Sequence, residues 1–167
     1  MIFAVVGTQK FQFNRLLKTL DELVENGSIE EEIIAQTGHS DYSPQNYTGR
    51  DFFSKEEFEN NIEKCRLLIT HSGASTITTG LKHGKPVIVV PRLEKYGEHV
   101  DNHQVQISRI FADRKYVMMC GENDRLSDLV KQVPAYRFAE YHSERAQIVQ
   151  TIMEYLCGIH TASGRLD

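Results

Sequence analysis

Three short stretches of this chain concentrate groups that can hold a polar ligand. The densest is Glu98-His99-Val100-Asp101-Asn102-His103-Gln104, where almost every side chain can donate to or accept from a hydroxyl. Such a run suits the reading of sugar hydroxyls. It also suits an exposed helix N-terminus, where acidic groups complement the helix dipole without any ligand. His99 and His103 have the i, i+4 spacing of a helical metal pair, with Glu98 or Asp101 beside them, but the pattern H-E-x-x-H is absent. No metal is expected. Glu98 and His99 are the local candidates for a general base. The second stretch is His71-Ser72-Gly73-Ala74-Ser75-Thr76, whose small residues let backbone come close to a ligand. The free N–H groups of a helix beginning there would favour an anion such as a diphosphate, with Ser72 or Ser75 as a side-chain cap. An ordinary strand-to-helix turn uses the same residue types. The third stretch, Gly7-Thr8-Gln9, is a weaker candidate of the same kind. The P-loop pattern, the dinucleotide pattern G-x-G-x-x-G and the nucleophile elbow G-x-S-x-G are all absent.

These stretches need strands and helices to hold them, and the apolar pattern supplies both. Phe3 to Val6 is continuously apolar, as expected of a strand buried on both faces. A helix is expected over about Phe13–Asn26, with Leu16, Leu17, Leu20, Leu23 and Val24 on one face, closed by Asn26-Gly27. Glu32–Gln36 reads as a second strand, 40–46 as a loop and Tyr47–Phe53 as holding a short third strand. Ser54-Lys55-Glu56-Glu57 has the form of a capping box opening a helix that turns Phe58, Ile62 and Cys65 inward. Leu67-Leu68-Ile69 and Val87–Val90 flank a short helix stopped by Gly84-Lys85-Pro86. A helix from Glu98 or His99 to about Phe111 is expected, with Val100, Val105, Ile107 and Ile110 apolar. A strand over Tyr116–Met119, a helix over Leu126–Gln132 and a last helix over about Arg137–Leu156 complete the chain. Strands alternating with helices predict an α/β fold: a Rossmann-like parallel sheet with helices on both faces. The polar stretches then gather beyond the carboxyl ends of the strands, where open α/β sheets bind ligands.

Composition narrows the classes. With 167 residues, 40% hydrophobic and 25% charged, the chain suits one domain with its own core, expected over 1–157 with a polar tail at 158–167. A net charge of -4 argues against a nucleic-acid partner. The apolar start, Met1–Gly7, lacks a basic n-region and reads as a strand, not a signal peptide. No apolar run approaches the ~20 residues that span a bilayer, so a cytoplasmic location is expected. The three cysteines, Cys65, Cys120 and Cys157, are far apart and read as free thiols.

Taken together, H-S-G-A-S-T (71–76), G-K-P-V-I-V-V-P (84–91) and D-N-H-Q (101–104) resemble the C-terminal, donor-binding half of GT-B glycosyltransferases of the peptidoglycan-precursor type. They are more similar still to the small cytosolic subunit of the two-part N-acetylglucosaminyltransferase that acts on dolichol-linked sugar, and to small subunits of bacterial capsule and exopolysaccharide enzymes. The resemblance implies a UDP-sugar donor and no cofactor. It implies diphosphate contacts at Gly7 and Thr8, uracil near Phe53, phosphate and sugar beside Gly73, Ala74, Ser75 and Thr76, with His71 and Ser72 in the same segment, and sugar hydroxyls at Asp101, Asn102, His103 and Gln104. Thr79 falls where such enzymes place a glutamate on the ribose, a departure at one contact. Because the family's acceptor site lies in a half that this chain lacks, the resemblance implies a membrane-associated partner subunit carrying a lipid-linked saccharide, with this chain at the inner membrane face through that partner. Other readings are a non-catalytic scaffold and a nucleotide-sugar epimerase or hydrolase domain.

Overall fold

The computed structural model describes residues 1–142. Its centre is β1 (Ile2–Val5), all four residues of which are buried. The chain then forms α1 (Asn14–Glu25), β2 (Ile33–Gln36), β3 (Thr48–Arg50), α2 (Lys55–Lys64), β4 (Leu67–Thr70), α3 (Ala74–Lys82), β5 (Val87–Val89), α4 (His103–Asp113), β6 (Met118–Met119) and α5 (Leu126–Gln132). The six strands make one sheet in the order β3-β2-β1-β4-β5-β6. Every pairing is parallel. Ile2 sits opposite Ile33 on one side and Leu67 on the other.

Successive strand residues point to opposite faces, and this period of two divides the core. Ile2, Ala4, Val6, Leu67, Ile69, Ile88 and Met118 pack with Leu16, Leu17 and Leu20 of α1 and Leu126 and Val130 of α5. Phe3, Val5, Leu68, Val87 and Val89 pack with Ile62 of α2, Ile77 and Leu81 of α3, and Phe111 of α4. Helices therefore cover both faces, which explains why these strands are apolar throughout. Gly80 brings α3 close to the sheet: a Cβ there would meet Leu68 Cδ2 at 2.5 Å.

Local signals account for several boundaries. The capping box forms: Ser54 accepts from the Glu57 N–H, and Glu57 accepts from the Ser54 N–H. The polar loop 40–46 is fixed by Asp21, a buried carboxylate on α1 that accepts from Tyr42 Oη at 2.6 Å and from the Gln45 and Asn46 N–H groups.

Two expected boundaries are corrected. The helix expected from Glu98 or His99 begins at His103, and Val100, expected on its apolar face, is 68% exposed. A one-turn 3-10 helix at Glu94–Tyr96 and a left-handed Gly97 (φ 66°) turn the chain first, because the Glu98 carboxylate folds back to accept from the Leu93 N–H at 2.9 Å. The last helix does not begin at Arg137: residues 136–142 are irregular after a 3-10 turn at Val133–Ala135 that includes Pro134. The rest of that expected helix, the boundary at 157 and the tail lie outside the described residues.

Candidate functional site

After β1 the chain turns towards β2, and after β4 it turns towards β5, so their exits diverge between neighbouring strands. This topological switch point is where an open α/β sheet leaves a crevice. A cleft of about 570 Å³ occupies it. Its walls are Gly7, Thr8 and Gln9 from the turn after β1, Gln36 and Phe53 from the β2–β3 side, Lys55, Phe58 and Glu59 of α2, His71–Thr76 and Thr79 of β4's exit and α3, and His99, His103, Gln104 and Ile107.

His71 is the post around which two walls are fitted. Its Nδ1 lies 3.4 Å from the Val5 carbonyl oxygen and 3.3 Å from Thr70 Oγ1. A Cβ on Gly7 would meet the imidazole at 2.7 Å, and one on Gly73 at 2.3 Å. Gly7 also has φ 92°, a conformation that a side chain disfavours. Both glycines are therefore required by close approach to one ring. Burial drives the His71 pKa down to about 4, and the nearby Arg92 charge pushes the same way. The imidazole is neutral at neutral pH and brings no positive charge to the cleft. For a histidine whose folded pKa is depressed, the unfolded chain binds the extra proton first. Stability then falls as pH drops from about 6.5 towards 4. His71→Gln should flatten that part of the pH profile in urea unfolding; an unchanged slope would contradict the buried neutral ring.

α3 opens onto the cleft without a side-chain cap. Gly73 is its N-cap residue, and the first intrahelical bond runs from the Ile77 N–H to the Gly73 carbonyl. The expected serine cap is thus corrected. Ser72 is buried and hydrogen-bonds Ser108 of α4, which turns its hydroxyl away from the helix end. Ser75 lies inside the first turn, where its carbonyl accepts from the hydroxyls of Thr78 and Thr79. The free N–H groups of this turn and the helix dipole face the cleft beside Gly7 and Thr8, an arrangement suited to an anion.

The wall formed by α4 rests on a buried charge network. Gln104 is 4% exposed and lines the cleft, and its Oε1 accepts from the Arg92 N–H at 3.2 Å. The Arg92 side chain is 1% exposed, donates to the Val6 and Phe11 carbonyls and lies over the Phe13 ring. It thereby clamps the Gly7–Gln9 turn from below. Glu98 is 0% exposed and binds the Arg15 guanidinium at 2.8 and 2.9 Å. Its two oxygens are engaged by Arg15 and Leu93, and it does not line the cleft; His99 does.

Asp101 and Asn102 also stand outside the cleft lining. Asp101, one residue before the N-cap Asn102, accepts at Oδ1 from the first N–H of α4, that of His103, at 3.0 Å and faces the Nδ1 atoms of His99 and His103. Asn102 Oδ1 accepts from the Glu94 N–H. His99, Asp101 and His103 offer three ligand atoms within 4.8 Å of one another. The Asp101 contacts with the His103 N–H and with both imidazoles draw these atoms together.

Sequence reasoning passed over Gln36, Lys55, Phe58, Glu59 and Ile107 as cleft residues. Gln36, the last residue of β2, is 4% exposed, and its Oε1 accepts from the Phe53 N–H at 3.4 Å. A buried glutamine at a strand end was the available signal. For Lys55 and Glu59 no signal existed beyond their place near a capping box.

Residues 1–155 match the family described as glycosyltransferase family 28 C-terminal domain. Two curated relatives are the UDP-N-acetylglucosamine transferase subunit ALG13 of Yarrowia lipolytica, 24% identical over 121 residues, and that of Homo sapiens, 26% identical over 126. Each alignment covers 71% of this chain, and the chain spans 58% and 11% of their lengths. Among solved structures, the NMR structure of ALG13 superposes with a TM-score of 0.59 at 20% identity, covering 90% of this chain and 93% of that one. Acinetobacter baumannii MurG gives 0.52 at 20% identity, covering 80% and 40%. These likenesses show the fold.

Proposed function

The chain belongs to the glycosyltransferase family 28 C-terminal domain family, and from that premise we propose that it is the UDP-sugar-binding subunit of an inverting glycosyltransferase. The observation that carries the reading is the uncapped N-terminus of α3, open to a cleft at the switch point beside the Gly7 turn. The diphosphate lies there. The base lies towards Phe53 and Gln36, and the sugar towards His103 and Gln104, with Asp101 and Asn102 shaping that end from behind. As the glycosidic bond breaks, charge grows on the departing UDP. Fixed N–H dipoles stabilise it without a metal. Neutral His71 sets the spacing of the two phosphate-side turns.

The acceptor's attacking hydroxyl needs a base at the sugar end. Glu98 is committed to Arg15 and Leu93, so its part is positioning, and His99 ranks behind a residue from a partner. That partner is a membrane-associated subunit that binds a lipid-linked saccharide in bacterial polysaccharide assembly, and it holds this chain at the cytoplasmic face. Two relatives that are transferase subunits support this division of labour. The scaffold and epimerase or hydrolase readings lack such an observation.

The purified chain should bind UDP in calorimetry, equally well after chelator treatment, yet transfer little sugar. Co-expression with the acceptor subunit should give transfer from UDP-glucose, UDP-galactose or UDP-N-acetylglucosamine to a lipid-linked acceptor. Absence of UDP binding would remove the donor site, and vigorous transfer by the chain alone would remove the partner. Binding that is lost to chelator and restored by manganese would overturn the metal-free reading.

A further inference from the structure

Arg92, in the segment after β5, is a buried charge with no counter-charge in contact among the described residues. Its side chain is 1% exposed. Nη2 donates to the Val6 carbonyl and, at 3.3 Å, to the Phe11 carbonyl, and the guanidinium carbon lies 5.5 Å from the centre of the Phe13 ring. Nε and Nη1 have no acceptor among the described residues. Glu98 attracts the guanidinium, but the Glu98 oxygens are held by Arg15 and the Leu93 N–H. Two guanidinium groups and one carboxylate leave one positive charge over. Burial lowers the Arg92 pKa, yet a guanidinium starts so high that it stays charged at neutral pH. Keeping such a charge out of water without an ion pair is unfavourable, and an apolar side chain would pack against Phe13 without that penalty.

The charge sits behind the phosphate side of the cleft. Val6 and Phe11 bracket the turn whose Gly7, Thr8 and Gln9 line the cleft, and Arg92 holds the carbonyls at both ends of it. In a planar trans peptide the C=O and N–H point opposite ways. The grip on the Val6 carbonyl therefore turns the Gly7 N–H away from Arg92. The field crosses the turn: after burial itself, the Arg92 charge is the next cause holding down the pKa of His71, which lines the cleft. Lys55 is the one lysine or arginine among the described lining residues, and it stands on α2.

We propose that Arg92 is a positioning residue for the diphosphate: it aims the Val6–Gly7 peptide and supplies, from behind the turn, the positive charge that a bound diphosphate neutralises. The inference rests on the donor-site reading above and adds to it a residue that does not line the cleft.

The test is calorimetry on the full chain with UDP and uridine, for wild type, Arg92→Gln, Arg92→Lys and the control Lys82→Gln, which removes a positive charge from the other end of α3. Arg92→Gln should weaken UDP by about tenfold or more and leave uridine within about twofold. Arg92→Lys keeps the charge and should restore most of the preference for UDP. Lys82→Gln should bind both as wild type does. A measurement on wild type covers the case in which a substitution at this buried position does not fold: the Arg92 Nε–H resonance in NMR should shift on addition of UDP and stay in place on addition of uridine. If Arg92→Gln weakens UDP and uridine by one factor, Arg92 only supports the turn, and the inference falls while the donor site stands. It falls likewise if Arg92→Lys binds UDP no better than Arg92→Gln, if Lys82→Gln loses as much as Arg92→Gln, or if the Nε–H resonance ignores UDP. If wild type binds no UDP, the donor site and the inference fall together.

Discussion

Gly7→Ala and Gly73→Ala should each abolish UDP binding while separating in how they damage the fold. Both place a methyl group against the His71 ring, at 2.7 and 2.3 Å. Overpacking of that size costs about 1–3 kcal/mol. Gly7 carries a second penalty, because φ 92° strains any side chain whatever the space around it; the two together come to about 2–6 kcal/mol. A histidine deletion distinguishes the terms. In a His71→Ala background the clash partner is gone, so Gly73→Ala should cost less than about 1 kcal/mol. Gly7→Ala should still cost about 1–3 kcal/mol from its backbone alone. Urea unfolding of the single and double variants measures both couplings. An equally small residual cost at the two positions in the His71→Ala background would mean that Gly7 is required for room and not for its dihedral angle.

Arg15→Met should cost about 3–5 kcal/mol, since it strands a fully buried carboxylate. Glu98 is the group left behind: it is 0% exposed and, among the described residues, keeps the Leu93 N–H and the nearby Arg92 charge. Removing both charges in Arg15→Met/Glu98→Met should recover a large part of that loss, because a buried ion pair replaced by apolar groups is often near neutral. The paired variant also tests the positioning role given to Glu98. A positioning residue should give a double variant that regains UDP binding together with stability. A base should give one that regains stability and UDP binding but remains inert when the acceptor subunit is present.

The sheet was legible in the sequence because apolar runs with no alternation have few other uses. Leu67-Leu68-Ile69 and Val87–Val90 led to β4 and β5 within a residue, and Ser54 to Glu57 marked α2 through purely local chemistry. Local rules misplaced the start of α4. Acidic and amide residues from Glu98 onward have the composition of a helix N-terminus, but Glu98 is claimed by Arg15, 83 positions away in sequence. Nothing within a short window could reveal that. The same holds for Ser72, whose hydroxyl partner Ser108 belongs to another helix. At the cleft, the turns at Gly7 and His71–Thr76 were visible as small residues at strand ends. The α2 wall was not, since Lys55 and Glu59 look like any solvated helix face until the sheet order brings that helix beside α3.

The all-parallel sheet also sets a clock. Ile2 pairs with Leu67, 65 positions on (67 less 2), and with Ile33, 31 positions on (33 less 2). The nearest partners in the sheet, Ile34 and Thr48, are still 14 apart (48 less 34). No tight hairpin can nucleate such a structure, so each strand must wait for a crossover to close before it gains a neighbour. Folding should then lie in the slower part of the range for single domains, in milliseconds or longer. Throughout that wait the apolar central strand has no strand partner on either edge. The strand that anchors the donor cleft is thus the one most exposed to mispairing, and efficient production of this chain will depend on how quickly β2 and β4 arrive to enclose it.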